Sequence, residues 1–150
     1  MKEYKVIINK EGTKRYFKPN TAIQHNENGP AVEYLDGTKY WYINDKLHRE
    51  DGPAIEYVNG DKVWYINDIL HREDGPAIEY ANGDKVWYIN GIRHREDGPA
   101  IEYPDGTKYW YINGKRLSES KFNNRNKVEL TLDEIAKKFN INVNQLKIKK

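Results

Sequence analysis

In the central part of this chain the apolar positions come back at a fixed long interval. Ile-Glu-Tyr, a turn dipeptide and Lys-Val-Trp-Tyr-Ile fill 55–66 and return at 78–89. They return again, with Tyr for Val, at 101–112. The whole unit runs from His48 to Asn67, from His71 to Asn90 and from His94 to Asn113, a period of 23 residues. A weaker copy spans His25 to Asn44. Within each copy, apolar and polar residues alternate over short runs, the period of a half-buried strand. Self-similarity at a fixed interval means that each copy is one structural unit whose apolar face is covered by its neighbours.

Two turn signals divide the unit. Asp36-Gly37, Asn59-Gly60, Asn82-Gly83 and Asp105-Gly106 read as two-residue hairpin turns, in which both central residues take positive φ. A second turn follows at Asn44-Asp45, Asn67-Asp68, Asn90-Gly91 and Asn113-Gly114. Gly-Pro elbows at Gly29-Pro30, Gly52-Pro53, Gly75-Pro76 and Gly98-Pro99 are expected outside the ladder, because proline removes a backbone donor. A two-residue turn at Asn59-Gly60 sets Val58 opposite Asp61, Tyr57 opposite Lys62, Glu56 opposite Val63 and Ile55 opposite Trp64. Alternation then gathers Ile55, Tyr57, Trp64 and Ile66 on one face, and Glu56, Val63 and Tyr65 on the other. The predicted fold class is mainly β: an elongated single-layer antiparallel sheet of stacked β-hairpin repeats, with a small α-containing C-terminal module.

Around this array the chain changes character. Residues 1–24 read as a degenerate N-terminal capping repeat, with strands at Tyr4–Ile8 and Lys14–Lys18 about a turn at Lys10–Thr13. The array occupies residues 25–117 in four copies. Residues 118–127 are polar and Asn-rich, the pattern of a linker. Residues 128–150 sketch a β-α-α-β-like module, with a strand at Val128–Leu130 and a helix capped by Thr131. Glu134 stands at the capping-box spacing, and Leu132, Ile135, Ala136 and Phe139 share one helical face. A second short helix or turn from Val143 and a basic strand at Lys147–Lys150 complete it. The module has some likeness to LysM and to helix-turn-helix units. As a recognition helix, 143–150 is too short to fill a groove, and a capping or docking module is the simpler reading.

Composition sharpens this picture. Only 37% of residues are hydrophobic, yet 13% are aromatic, including twelve Tyr and four Trp, which fits a thin fold rather than a disordered chain. Cysteine is absent, as in proteins of the reducing cytoplasm, the compartment expected here. No apolar run approaches the roughly 18 residues of a membrane span. The net charge of +2 conceals an asymmetry: residues 25–114 hold nine Lys and Arg against seventeen Asp and Glu. Residues 1–24 hold six against two, and residues 115–150 ten against four. An acidic array argues against duplex DNA, which requires a basic stripe. Oppositely charged segments allow homo-oligomers, and the basic tail is suited to anionic lipid or nucleic acid.

Tyr-Trp-Tyr-Ile-Asn-Gly-Lys-Arg at 109–116, preceded by Gly-Pro-Ala-Ile-Glu-Tyr-Pro-Asp-Gly at 98–106, resembles the MORN repeat. The resemblance covers about residues 25–117 and implies the same 23-residue β-hairpin unit. Arg-Glu-Asp-Gly-Pro after the His departs from the Gly-rich step usual in that family. In this departure the chain is similar to arrays found in uncharacterised bacteriophage proteins. That similarity implies interference with a host protein, such as a component of antiviral defence, in the host cytoplasm.

The candidate binding surface consists of repeated residues. Trp41, Trp64, Trp87 and Trp110 form a possible stacking platform, flanked by Tyr42, Tyr65, Tyr88 and Tyr111 on the opposite face. His48, His71 and His94 each precede an arginine: Arg49, Arg72 and Arg95. Equivalent residues lie roughly 10 Å apart, two strands at about 4.8 Å, too far to share a metal ion. No nucleophile elbow, phosphate-cradling loop or zinc spacing occurs, so neither catalysis nor a cofactor is expected. The expected function is non-enzymatic binding of a macromolecule, most simply a protein. One alternative is a sponge holding a nucleotide or other small anion between aromatic and Arg-His groups. The other is lipid or nucleic-acid association through the tail.

Overall fold

The computed structural model describes residues 3–127, 130–142 and 144, which fall into two compact units, residues 1–119 and 120–150. The first unit opens with the hairpin β1 (Lys5–Ile8) and β2 (Lys14–Phe17). Each of the first three copies then contributes four short strands, and the last contributes three. In the first copy they are β3 (Val32–Glu33), β4 (Lys39–Tyr40), β5 (Tyr42–Ile43) and β6 (Lys46–Leu47). The second has β7 (Ile55–Glu56), β8 (Lys62–Val63), β9 (Tyr65–Ile66) and β10 (Ile69–Leu70). In the third they are β11 (Ile78–Glu79), β12 (Lys85–Val86), β13 (Tyr88–Ile89) and β14 (Ile92–Arg93). The last copy has β15 (Ile101–Glu102), an unbroken β16 (Lys108–Ile112) and β17 (Lys115–Leu117).

The first two strands of every copy join one open eleven-stranded antiparallel sheet, β1-β2-β3-β4-β7-β8-β11-β12-β15-β16-β17. Two cross-strand rows run the width of the repeats. One is ionic: Lys14, Glu33, Lys39, Glu56, Lys62, Glu79, Lys85, Glu102 and Lys108 stand opposite one another in turn. Every glutamate in it lies between two lysines, the favourable cross-strand arrangement. The other row is Arg15, Val32, Tyr40, Ile55, Val63, Ile78, Val86, Ile101 and Tyr109. From it Val32, Ile55 and Ile101 are buried, as are Ala31, Ala54, Ala77 and Ala100. Among the described residues no large side chain is fully enclosed, as befits a single layer.

This register corrects the predicted one by a single residue. Ile55 faces Val63 and Glu56 faces Lys62. The N–H of Tyr57 donates to Asp61 O and that of Gly60 to Tyr57 O, both at 2.9 Å, so the loop holds three residues, Val58, Asn59 and Gly60. Only Gly60 is left-handed, at φ +94°, as in a type I turn closed by a glycine bulge. A shift of one residue exchanges the faces of the second strand. Ile55, Tyr57, Val63 and Tyr65 therefore share one face, and Glu56, Lys62, Trp64 and Ile66 the other. In the first copy the ring pairs Tyr40–Tyr42 (6.3 Å) and Tyr40–Tyr57 (6.1 Å) display the same grouping.

The tight two-residue turns lie at the other signal. Asn67 and Asp68 have φ of +52° and +66°, and Ile66 faces Ile69 across them. These turns close two-stranded ribbons that leave the main ladder at the tryptophan. The Trp64 N–H donates to Ala77 O of the next copy at 2.8 Å, while Trp64 O accepts from the His71 N–H at 3.2 Å. The Gly-Pro elbows lie between strands, as expected.

Helix α1 (Glu119–Asn124), which starts at the last residue of the first unit, occupies most of the stretch predicted as a linker and buries Phe122. Helix α2 (Leu132–Phe139) carries the predicted capping box. Thr131 Oγ1 accepts the Glu134 N–H at 3.2 Å, and Glu134 Oε2 accepts the Thr131 N–H at 2.8 Å. Asn140 ends the helix in the left-handed region. The expected strand at Val128–Leu130, the second helix or turn from Val143 and the basic strand Lys147–Lys150 lie wholly or largely outside the described residues. No helix is long and apolar enough to cross a membrane among the described residues.

Candidate functional site

The motif His-Arg-Glu-Asp-Gly-Pro builds the same clamp three times. Arg72 Nε donates to Asp74 Oδ1 at 2.9 Å, and its Nη1 donates to Pro76 O at 3.2 Å and Glu79 Oε1 at 2.7 Å. Its guanidinium carbon stands 4.0 Å from the centre of the Trp64 ring. A Cβ placed on Gly75 would stand 2.8 Å from that carbon, so glycine is what lets the loop close over the guanidinium. Arg49 repeats this with Asp51, Pro53, Glu56 and Trp41, and Arg95 with Asp97, Pro99, Glu102 and Trp87. In the weaker first copy Asn26 stands for the arginine and donates to Pro30 O at 2.9 Å. At the other end Leu117 and Ser118 occupy the His and Arg places, and Trp110 faces Leu117.

Each histidine fastens the clamp to the next turn. Nδ1 of His94 accepts the Asn113 N–H at 3.0 Å, which leaves the ring proton on Nε2, 3.2 Å from Glu96 Oε1. His71 accepts the Asn90 N–H at 3.2 Å, and His48 Nδ1 lies 3.1 Å from Asn67 Oδ1. The arginine hydrogen bond, then the arginine charge, holds the Asp51 and Asp74 carboxyls below the usual carboxylate range. At Asp97 the arginine hydrogen bond is again the largest cause.

Three like grooves of about 460, 670 and 620 Å³ adjoin the clamps, the first between the Asn26 loop and the Arg49 clamp and the other two between successive clamps. The middle one has Trp64, Ile66, His71 and Arg72 at its floor, with Glu50-Asp51 and Glu73-Asp74 along its sides. Four carboxylates and two guanidinium groups line it, so it is net acidic. Glu50 and Glu73 expose 85% of their side chains. Both guanidinium groups are already engaged with carboxylates, and the surface left to a partner is Trp, Ile and exposed carboxylate.

The predicted surface therefore divides in two. Trp41, Trp64, Trp87, His48, His71, His94, Arg49, Arg72 and Arg95 come together in the grooves. Tyr42, Tyr65, Tyr88 and Tyr111 stand on the reverse face. There burial, ahead of the neighbouring phenols and carboxylate, raises the Tyr42 and Tyr65 hydroxyls above their ordinary range. Arg93 Nε donates to Tyr88 Oη at 3.1 Å, and its guanidinium lies 5.6 Å from the Tyr111 ring. Sequence reading missed Glu56, Glu79 and Glu102 as arginine acceptors, and Ile43, Ile66 and Ile89 as groove floor. The constant seven-residue step from each arginine to its glutamate was the signal. Among the described residues, no group of three or more His, Cys, Asp or Glu side chains could hold a metal ion.

No family model matches the chain, and no curated protein matches it. The structure gives a β-hairpin repeat array compatible with a MORN-like repeat.

Proposed function

We propose that the array is a non-enzymatic binding surface for another macromolecule, a protein, engaged along the row of grooves. One observation carries this reading: the same Trp-floored, acid-sided groove occurs three times at 23-residue intervals. Repeated weak subsites on one scaffold add through effective concentration, which favours an extended partner over a small single ligand. The exposed carboxylates set its chemistry, since they complement Lys and Arg on the partner. A nucleotide sponge is less well supported, because phosphate would have to displace Asp and Glu from each arginine. The resemblance to bacteriophage arrays extends the proposal to a phage-encoded inhibitor of a host antiviral-defence protein.

The test is co-purification and crosslinking from a bacterial lysate, comparing the chain with its E50K/E73K double variant. The expected result is a stoichiometric protein that the variant, folded by circular dichroism, fails to retain. Equal recovery by both, or no stoichiometric protein, overturns the proposal. Calorimetric heat with cyclic dinucleotides or ADP-ribose derivatives would instead establish the sponge.

A further inference from the structure

Strand β1 ends the strand order, with β2 on one side and, among the described residues, no strand on the other. Val6 stands opposite Tyr16, and Ile8 opposite Lys14. The Tyr16 N–H turns away from β1 and donates to Ala31 O at 2.8 Å. Val6 is thus in a non-hydrogen-bonded pair, so its N–H and C=O, and those of Ile8 two residues on, point outward along the open edge. All four β1 side chains are exposed, Val6 at 48% and Ile8 at 62%. Natural edges are usually blunted by charge, proline or a bulge. This one has the sequence Lys-Val-Ile-Ile, with a single charge.

A second observation bears on what would pair with it. Arg15 stands opposite Ile7, on the face that also holds Lys5, in the row where the other strands have Val, Ile or Tyr. Its Nε is buried without a hydrogen-bond partner. Residues 1–24 hold six Lys and Arg against two acids, so this end of the sheet is basic where the array is acidic.

We propose that the open edge of β1 is a strand-addition site for an extended acidic segment of a partner protein. Its carboxylates face Lys5 and Arg15, and its alternate apolar side chains lie beside Val6 and Ile8. Main-chain bonds to Val6 and Ile8 give affinity, and the alternation gives specificity. A second copy of β1 fits less well, because it would bring two Lys5 and Arg15 sets together without an acid. The site is separate from the grooves and does not depend on their reading.

The probe is an end-blocked peptide, Glu-Val-Glu-Val-Glu-Val, titrated into the isotope-labelled full chain beside its Lys-for-Glu counterpart. The acidic peptide should give saturable amide shifts centred on Val6 and Ile8, weakened by added salt. Val6→Pro removes only an outward N–H, which an edge strand tolerates, and should weaken binding at least tenfold. Arg15→Gln should weaken it several-fold, and serves on its own if the proline variant does not fold. No binding, equal binding of the lysine peptide, or unchanged affinity in the folded variants overturns the proposal. So does a concentration-dependent dimer that V6P abolishes, since a second copy would then hold the edge.

Discussion

The guanidinium carbon of Arg72 rests 4.0 Å from the centre of the Trp64 ring, in the turn where one repeat hands over to the next. The same group binds two carboxylates and a carbonyl, so it ties together residues from 64 to 79. Replacing Arg72 by alanine should cost about 1–3 kcal/mol, from the lost ring contact, the charge-assisted bonds and the uncompensated Glu79. Arg72→Lys should recover little, since an ammonium cannot make the fork. Urea unfolding followed by tryptophan emission measures both.

Gly75→Ala tests the other side of the clamp. The new Cβ would collide with the guanidinium at 2.8 Å, whereas at Gly29 the nearest atom is Asn26 Nδ2 at 3.6 Å. The expected loss is about 1–3 kcal/mol at Gly75 and much less at Gly29, read from urea midpoints.

The hairpin loops make a separate prediction. Gly60→Ala forces an L-residue to φ +94° and should cost about 1–2 kcal/mol. Asn59→Gly should not stabilise, because only its neighbour is left-handed there. A stabilised Asn59→Gly would restore the two-residue turn.

Acid should loosen the clamps. Asp51, Asp74 and Asp97 have depressed folded values, so their contribution is complete above the ordinary carboxylate value near about 3.9. It is lost as pH falls through the lower folded values. Urea midpoints should hold down to about pH 4 and fall below it, and Asp74→Asn should flatten that fall while lowering stability at pH 7.

Alkali acts on the reverse face with the opposite sign. Tyr42 and Tyr65 have raised values, from burial first, so their contribution holds below about pH 10 and is lost as pH rises beyond it. Phenolate absorbance should show these rings ionising after the exposed tyrosines, and Tyr65→Phe should remove one late-titrating group.

The repeat period, the opposition of Trp to Tyr and the Thr131–Glu134 box were all legible, because each follows from spacing alone. The loop at Asn59-Gly60 was not. Asn-Gly suits a tight turn, but the same dipeptide also fits the last two places of a three-residue loop, and only tertiary pairing of Glu56 with Lys62 selects between them. That one residue moved Trp64 away from Ile55. The clamp was half legible: the His-Arg pair stood out, while Glu79 lies seven residues on and meets Arg72 only when the Gly-Pro elbow folds back. Helix α1 was hidden because five polar residues around one Phe122 carry almost no apolar period.

The alternating lysines and glutamates across the sheet have an evolutionary corollary. Each copy donates one residue of each sign to that line, so duplicating or deleting a whole unit by recombination leaves every junction matched. Copy number can then drift without a fresh compensating mutation, and the length of the array becomes a trait that selection can adjust in steps of one hairpin.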